Sequence, residues 1–167
     1  MSQSTLALVR QPYQLLVRAA SSLQSLFLLA VRLYWGWSFF QTGKGKLMSH
    51  DKVTGFFTDL QIPFPSLNAW FVGTVECVGG IFLLLGLASR LTAIPLTILL
   101  IVAYLTSEME AVKNIFSDPD KFTAADPFLF LFASLIVLIF GPGTFSIDYL
   151  LGKSSEEPRQ DARPKTL

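Results

Sequence analysis

Residues 73–86 read Gly-Thr-Val-Glu-Cys-Val-Gly-Gly-Ile-Phe-Leu-Leu-Leu-Gly, GTVECVGGIFLLLG, an apolar run broken by a single carboxylate, Glu76. The run sits inside Leu67–Leu87, which carries no other charge and has about the ~20 residues that a bilayer-crossing helix needs. A carboxylate placed there costs roughly 2.5–3.5 kcal/mol on insertion scales, and such a group faces a partner or a water-filled cavity. Three further apolar segments flank it: Leu23–Gly43, Leu91–Thr106 and Phe128–Phe140, the last extendable to Tyr149. The charges gather between these segments, at 10–18, 44–59, 108–126 and 148–165. With 51% hydrophobic and 15% charged residues in 167, a soluble domain would lack the polar surface to cover four such helices. The expected fold is therefore an all-α integral membrane protein, a bundle of four transmembrane helices with an N-terminal interfacial helix.

The chain divides into an N-terminal interfacial segment at 1–22, the membrane domain at 23–151, and a charged, proline-rich tail at 152–167 for which disorder is expected. Leu6, Val9, Tyr13, Leu16, Val17 and Leu23 recur at helical spacing, which predicts a short amphipathic helix on the membrane surface. The first apolar run has no small-residue cleavage site after it and is expected to be a retained span. The stretch VTGFFTDLQIPFPSL, within 44–66, is expected to form a short helix at the opposite interface, ended at Pro63, or a loop over the bundle mouth. Counted over the flanks, Arg10, Arg18, Arg90, Lys153, Arg159, Arg163 and Lys165 share one side, against Lys44, Lys46, Lys52, Lys113 and Lys121 on the other. That majority puts both termini in the cytoplasm.

A net charge of +1 provides no electrostatic footprint for nucleic acid. The single cysteine, Cys77, and the single histidine, His50, rule out an internal disulfide, a CxxC redox pair and a bis-histidine haem, and no metal site is expected. Any redox chemistry therefore needs a bound molecule or a partner subunit.

The first span carries its own anomaly, Arg32, about 13 Å in from Leu23, and Glu76 lies at a similar depth from the far end of its span. Opposite charges at one depth on antiparallel neighbours predict an Arg32–Glu76 pair. Arg32, Gly36, Phe39, Gly43 and Lys46 step along one helix face, as do Glu76, Gly79 or Gly80, Leu83, Gly86 and Arg90. The expected site is this seam: Arg32, Glu76, Gly36, Gly79 and Gly80, walled by Trp35 and Trp37. It reads equally as a structural ion pair in a small-residue packing seam and as a functional pocket. Lys44, Lys46, Glu108 and Glu110 are expected as charges at the outer mouth, where loose solvation is the simpler account. Arg90 and Asp148 are expected as a pair at the cytoplasmic border.

The set Arg32-x3-Gly36-x2-Phe39-x3-Gly43-x2-Lys46, Glu76-x2-Gly79-Gly80-x2-Leu83-x2-Gly86-x3-Arg90 and Gly141-Pro-Gly-x2-Ser146-Ile-Asp148 resembles the DoxX family of small bacterial four-helix membrane proteins, from about Leu28 to Leu150. The resemblance implies a protein of the bacterial cytoplasmic membrane, akin to subunits of quinone-linked or oxidative-stress systems. On that reading the chain is an accessory or ligand-binding subunit, with no cofactor of its own, a quinone as the candidate ligand, and the bilayer, a redox partner subunit or further copies of itself as partners. Arg32 would bond a ring carbonyl, Glu76 balance charge or relay a proton, and a tryptophan stack on the ring. A non-catalytic scaffold is the first rival. A small-solute transporter is the second, disfavoured because no pair of broken helices is evident beyond Pro95.

Overall fold

The computed structural model describes residues 3–156, with side chains for 16, 17 and 20–152; of the tail expected to be disordered, 152–156 is instead helical, continuing the helix that starts at Ile147, and 157–167 lies outside the described residues. Eight helices and no strand occur among the described residues: α1 Gln3–Met48, α2 His50–Asp59, α3 Pro65–Leu85, α4 Ser89–Ser107, α5 Met109–Lys113, α6 Pro119–Ala124, α7 Pro127–Phe140 and α8 Ile147–Glu156. Four of them close a ring, α1 on α3, α3 on α4, α4 on α7 and α7 back on α1.

The helix boundaries follow from local chemistry. Proline at the first position starts α3, α6 and α7, where its missing N–H costs no helical bond. Gly86, at φ 66°, ends α3; its N–H reaches the Leu83 carbonyl and the Leu87 N–H that of Phe82. Gly141 and Gly143, at φ 78° and 77°, bracket Pro142 and break the chain after α7. The predicted extension of the fourth segment to Tyr149 is therefore wrong: the helix stops at Phe140 and a separate one, α8, begins at Ile147.

Two further expectations are corrected. The N-terminal stretch is not a separate helix, because α1 runs unbroken from Gln3 to Met48, about 70 Å at 1.5 Å per residue. Lys44 and Lys46 thus belong to α1 and not to the loop after it. The predicted helix at the other interface is present as α2, but it ends at Asp59, four residues before Pro63.

The outer surface is rich in large apolar side chains, and several polar groups lie inside. Arg32, Glu76, Ser89, Thr92, Thr97, Ser134 and Ser146 are buried, while Leu33, Trp37, Phe71, Ile98, Phe132 and Ile139 point outward. Inside, Phe39, Leu83, Ala93, Leu96, Leu100 and Val137 form the apolar core, and the Thr97 hydroxyl donates to Ser134 at 3.0 Å across α4 and α7. Apolar side chains on the outer surface and polar groups turned inward are what a lipid solvent favours. α3 and α4 are long and apolar enough to cross a membrane; α7 is apolar but shorter.

Candidate functional site

The α1–α3 seam sets the geometry of everything polar inside the bundle. Gly36 and Gly43 on α1 lie seven residues apart, as do Gly73 and Gly80 on α3, and the two pairs interlock. A Cβ on Gly80 would lie 2.6 Å from the Gly36 carbonyl oxygen and closer still to the Phe40 amide nitrogen. One on Gly43 would meet the Gly73 carbonyl oxygen at 2.7 Å and overlap the Cys77 backbone. Only glycine permits this approach. Gly79 turns to the other side, toward Leu96 of α4.

This register separates the two buried charges. Because Gly36 opposes Gly80 and Leu84, one turn back along α1 brings Arg32 to the end of α3, where its Nε donates to the Leu83 carbonyl at 3.0 Å. Gly86 is ten residues from Glu76, about 15 Å along the helix, and a Cβ there would lie 2.7 Å from the Arg32 guanidinium carbon. The expected Arg32–Glu76 pair does not form. Depth measured from the ends of the apolar runs gave the error; the glycines fix the true offset.

Glu76 instead pairs with Lys46, whose Nζ donates to Oε1 at 2.5 Å. The pair is lopsided: the lysine side chain is 34% exposed and the glutamate 4%. The second carboxylate oxygen, Oε2, is buried and has no partner among the described residues. Most buried polar atoms are satisfied, so this one marks either a charge held on a single bond or a place for an incoming donor. Lys46 was legible as the last member of the Arg32–Lys46 stripe, yet its position after the apolar run argued for the aqueous mouth. Its four-carbon stem lets it reach back to Glu76.

Arg32 is held by backbone carbonyls. Besides Leu83, its guanidinium donates to the carbonyls of Leu84 at 3.4 Å, Pro142 at 2.6 Å and Phe145 at 3.0 Å. It therefore ties the orphan carbonyls at the end of α3 to the Gly141–Ser146 segment, a use of its planar donor fork that lysine cannot copy. Asp148 completes this knot. Its two carboxylate oxygens accept from the Ala88 and Ser89 amides at 2.6 and 2.8 Å, capping α4, and its own amide donates to the Gly86 carbonyl. Ala88 sits at φ 45°, a left-handed conformation costing a non-glycine residue about 1–2 kcal/mol, which the cap helps to hold.

The expected Arg90–Asp148 pair is likewise absent, since Asp148 is engaged by amides and Arg90 reaches the Ile139 carbonyl at the end of α7 at 3.3 Å. Of the expected mouth charges, Lys44, Glu108 and Glu110 form no ion pair among the described residues. The tryptophans part company. Trp35 is half-buried, edge-on to Phe130 of α7 at 5.0 Å, whereas Trp37 is 53% exposed on the outer face beside Phe40. No group of three His, Cys, Asp or Glu side chains among the described residues is placed to hold a metal ion.

The sequence model of the DoxX family matches residues 27–109, from α1 through the start of α5. An uncharacterized membrane protein of Mycobacterium tuberculosis is 31% identical over 75% of this chain and 81% of its own length. The chain belongs to the DoxX family. An uncharacterized protein of Haemophilus influenzae is 28% identical over 75% of this chain and 83% of its own length. A Bacillus subtilis protein named "putative oxidoreductase CatD" is 25% identical over 77% of this chain and 89% of its own length. No solved structure matches.

As a DoxX membrane protein the chain has two polar centres with different chemical capacity. The Arg32 centre has all its guanidinium nitrogens on carbonyls and works as a clamp. The Glu76–Lys46 centre keeps one acceptor oxygen open, and its lysine is partly exposed at the bundle surface. The Gly141–Asp148 motif lies outside the stretch that the DoxX family model matches, yet it supplies half of the Arg32 clamp.

Proposed function

We propose that this protein is a four-span accessory subunit of the bacterial cytoplasmic membrane, both termini cytoplasmic, whose Glu76–Lys46 centre receives a small ligand or a proton for a redox-linked system. α1 and α7 would join α3 and α4 as spans, and the positive flanks set the orientation. The observation that carries the functional reading is the Glu76 Oε2 atom, buried, unpartnered and beside a lysine. Intramembrane carboxylates of this kind serve ligand and proton pathways in many membrane proteins. The redox assignment draws its support from the oxidoreductase name of the Bacillus subtilis relative. A quinone suits the centre: its reduced form would donate a hydroxyl hydrogen to Oε2, and its oxidised form would accept from Lys46.

The test is purification in mild detergent with mass analysis of co-purifying subunits and extractable cofactors, repeated for Glu76→Gln at matched protein level. A quinone or redox subunit that is lost in the variant is the expected result; a lone protein with only bilayer lipid in both forms refutes the reading. A non-catalytic scaffold is the second reading, favoured by the Arg32 clamp, whose three guanidinium nitrogens all donate to carbonyls and hold α3 to the segment after α7. On that reading Glu76→Gln lowers yield and leaves the composition of the purified complex unchanged.

A further inference from the structure

On the outer wall, away from the α1–α3 seam, α3 and α4 flank an open groove of about 360 Å³. Its walls are mostly aliphatic, Val75, Val78 and Leu91, with Phe82 the only aromatic ring and no charged side chain lining it among the described residues. Three polar features interrupt them. Thr92 and Thr74 line the groove with hydroxyls that have no partner among the described residues, and Thr92 is 8% exposed. Pro95, also in the wall, lacks the N–H that would serve the Leu91 carbonyl four residues back.

Those groups define what fits. The carbonyl can only accept; the threonine hydroxyls donate and accept. A ligand group satisfying both must itself donate and accept, which a hydroxyl does and a ketone or carboxylate does not. The lack of a charged side chain in the lining favours a neutral headgroup there, and the aliphatic walls suit a chain better than a flat ring. Depth agrees: Thr92 is three residues into α4 from Ser89, about one turn from the helix end, while Thr74 and Pro95 lie deeper. We infer that this groove binds a neutral glyceride from the bilayer, a diacylglycerol type, with its free hydroxyl at Leu91 and Thr92 and an acyl chain running toward Thr74. The inference depends on α3 and α4 crossing the membrane and stands apart from the redox reading.

The experiment labels full-length protein in nanodiscs with a diacylglycerol carrying a diazirine in one acyl chain, followed by peptide mass mapping. Labels on Val75, Val78 or Leu91, displaced by plain diacylglycerol but not by its O-acetylated form or by phosphatidic acid, are expected. Thr92→Val should weaken labelling about fivefold, the worth of one neutral hydrogen bond. Val78→Trp, at a lipid-facing position that tolerates bulk, should abolish it. Labels spread evenly over the outer faces of α1 and α7, equal displacement by the acetylated form, or stronger displacement by a long-chain phenol would each overturn the inference.

Discussion

Removing one partner of the Glu76–Lys46 pair should cost unequally, and the inequality follows from burial. In Lys46→Met the carboxylate, 4% exposed, loses its only partner among the described residues and is left in the bundle interior with both oxygens unsatisfied. Breaking a buried pair this way costs about 3–5 kcal/mol. The lower end applies here, because the pair touches water at the lysine side and relaxation can admit it. In Glu76→Gln the survivor is Lys46, 34% exposed, which can swing its ammonium to the aqueous surface; the loss reduces to one charge-assisted bond, about 1.5 kcal/mol. The double variant removes both groups and should be less destabilised than Lys46→Met alone. The measurement is SDS-driven unfolding in mixed micelles followed by far-UV circular dichroism, with all four corners of the cycle at one pH and salt concentration. Equal costs for the single variants, or a double variant that is simply additive, would show that the pair carries no special energy and that the geometry has been misread.

The other predictions use the same assay. Gly43→Ala should destabilise by about 2 kcal/mol or more, because the added methyl overlaps the Cys77 backbone. Two residues on, Gly45→Ala should stabilise by about 0.5–1 kcal/mol, since nothing lies within 4 Å of its Cβ and helix propensity alone acts. Arg32→Lys should behave like a loss of function of the clamp, costing about 3 kcal/mol and making the Gly141–Ser146 segment sensitive to protease, because one ammonium cannot span four carbonyls. Asp148→Ala should cost about 1–2 kcal/mol by uncapping α4 and releasing Ala88 from its left-handed conformation, read as faster amide exchange at Ala88 and Ser89.

The sequence made the helices legible because their apolar runs and terminators act locally. Pro65, Gly86, Pro127 and Gly141 each stop or start a helix through their own backbone chemistry, and the runs between them needed no partner to be recognised. The shared faces were legible too, since Arg32, Gly36, Gly43 and Lys46 follow from helical period alone. What the period cannot supply is the offset between two helices. That offset comes from where backbone meets backbone, Gly36 on Gly80 and Gly43 on Gly73, and it decides which charge meets which.

The same reasoning explains why Arg32 and Asp148 were both paired wrongly. A search among side chains for opposite charges overlooks the strongest unpaired dipoles in a membrane bundle, the carbonyls ending one helix and the amides beginning the next. At this end of the bundle α3 finishes, α4 begins and α7 has just stopped, so carbonyls and amides without helical partners crowd together. Arg32 goes to the carbonyls and Asp148 to the amides; each charge is spent on backbone, and neither needs the other's side chain. At the opposite end of the seam Glu76 sits mid-helix, where every neighbouring amide is already bonded within α3. A side chain is the partner left to it, Lys46 is the cation within reach, and one oxygen stays open. The difference between a clamp and a candidate site thus comes down to where each charge falls relative to a helix end.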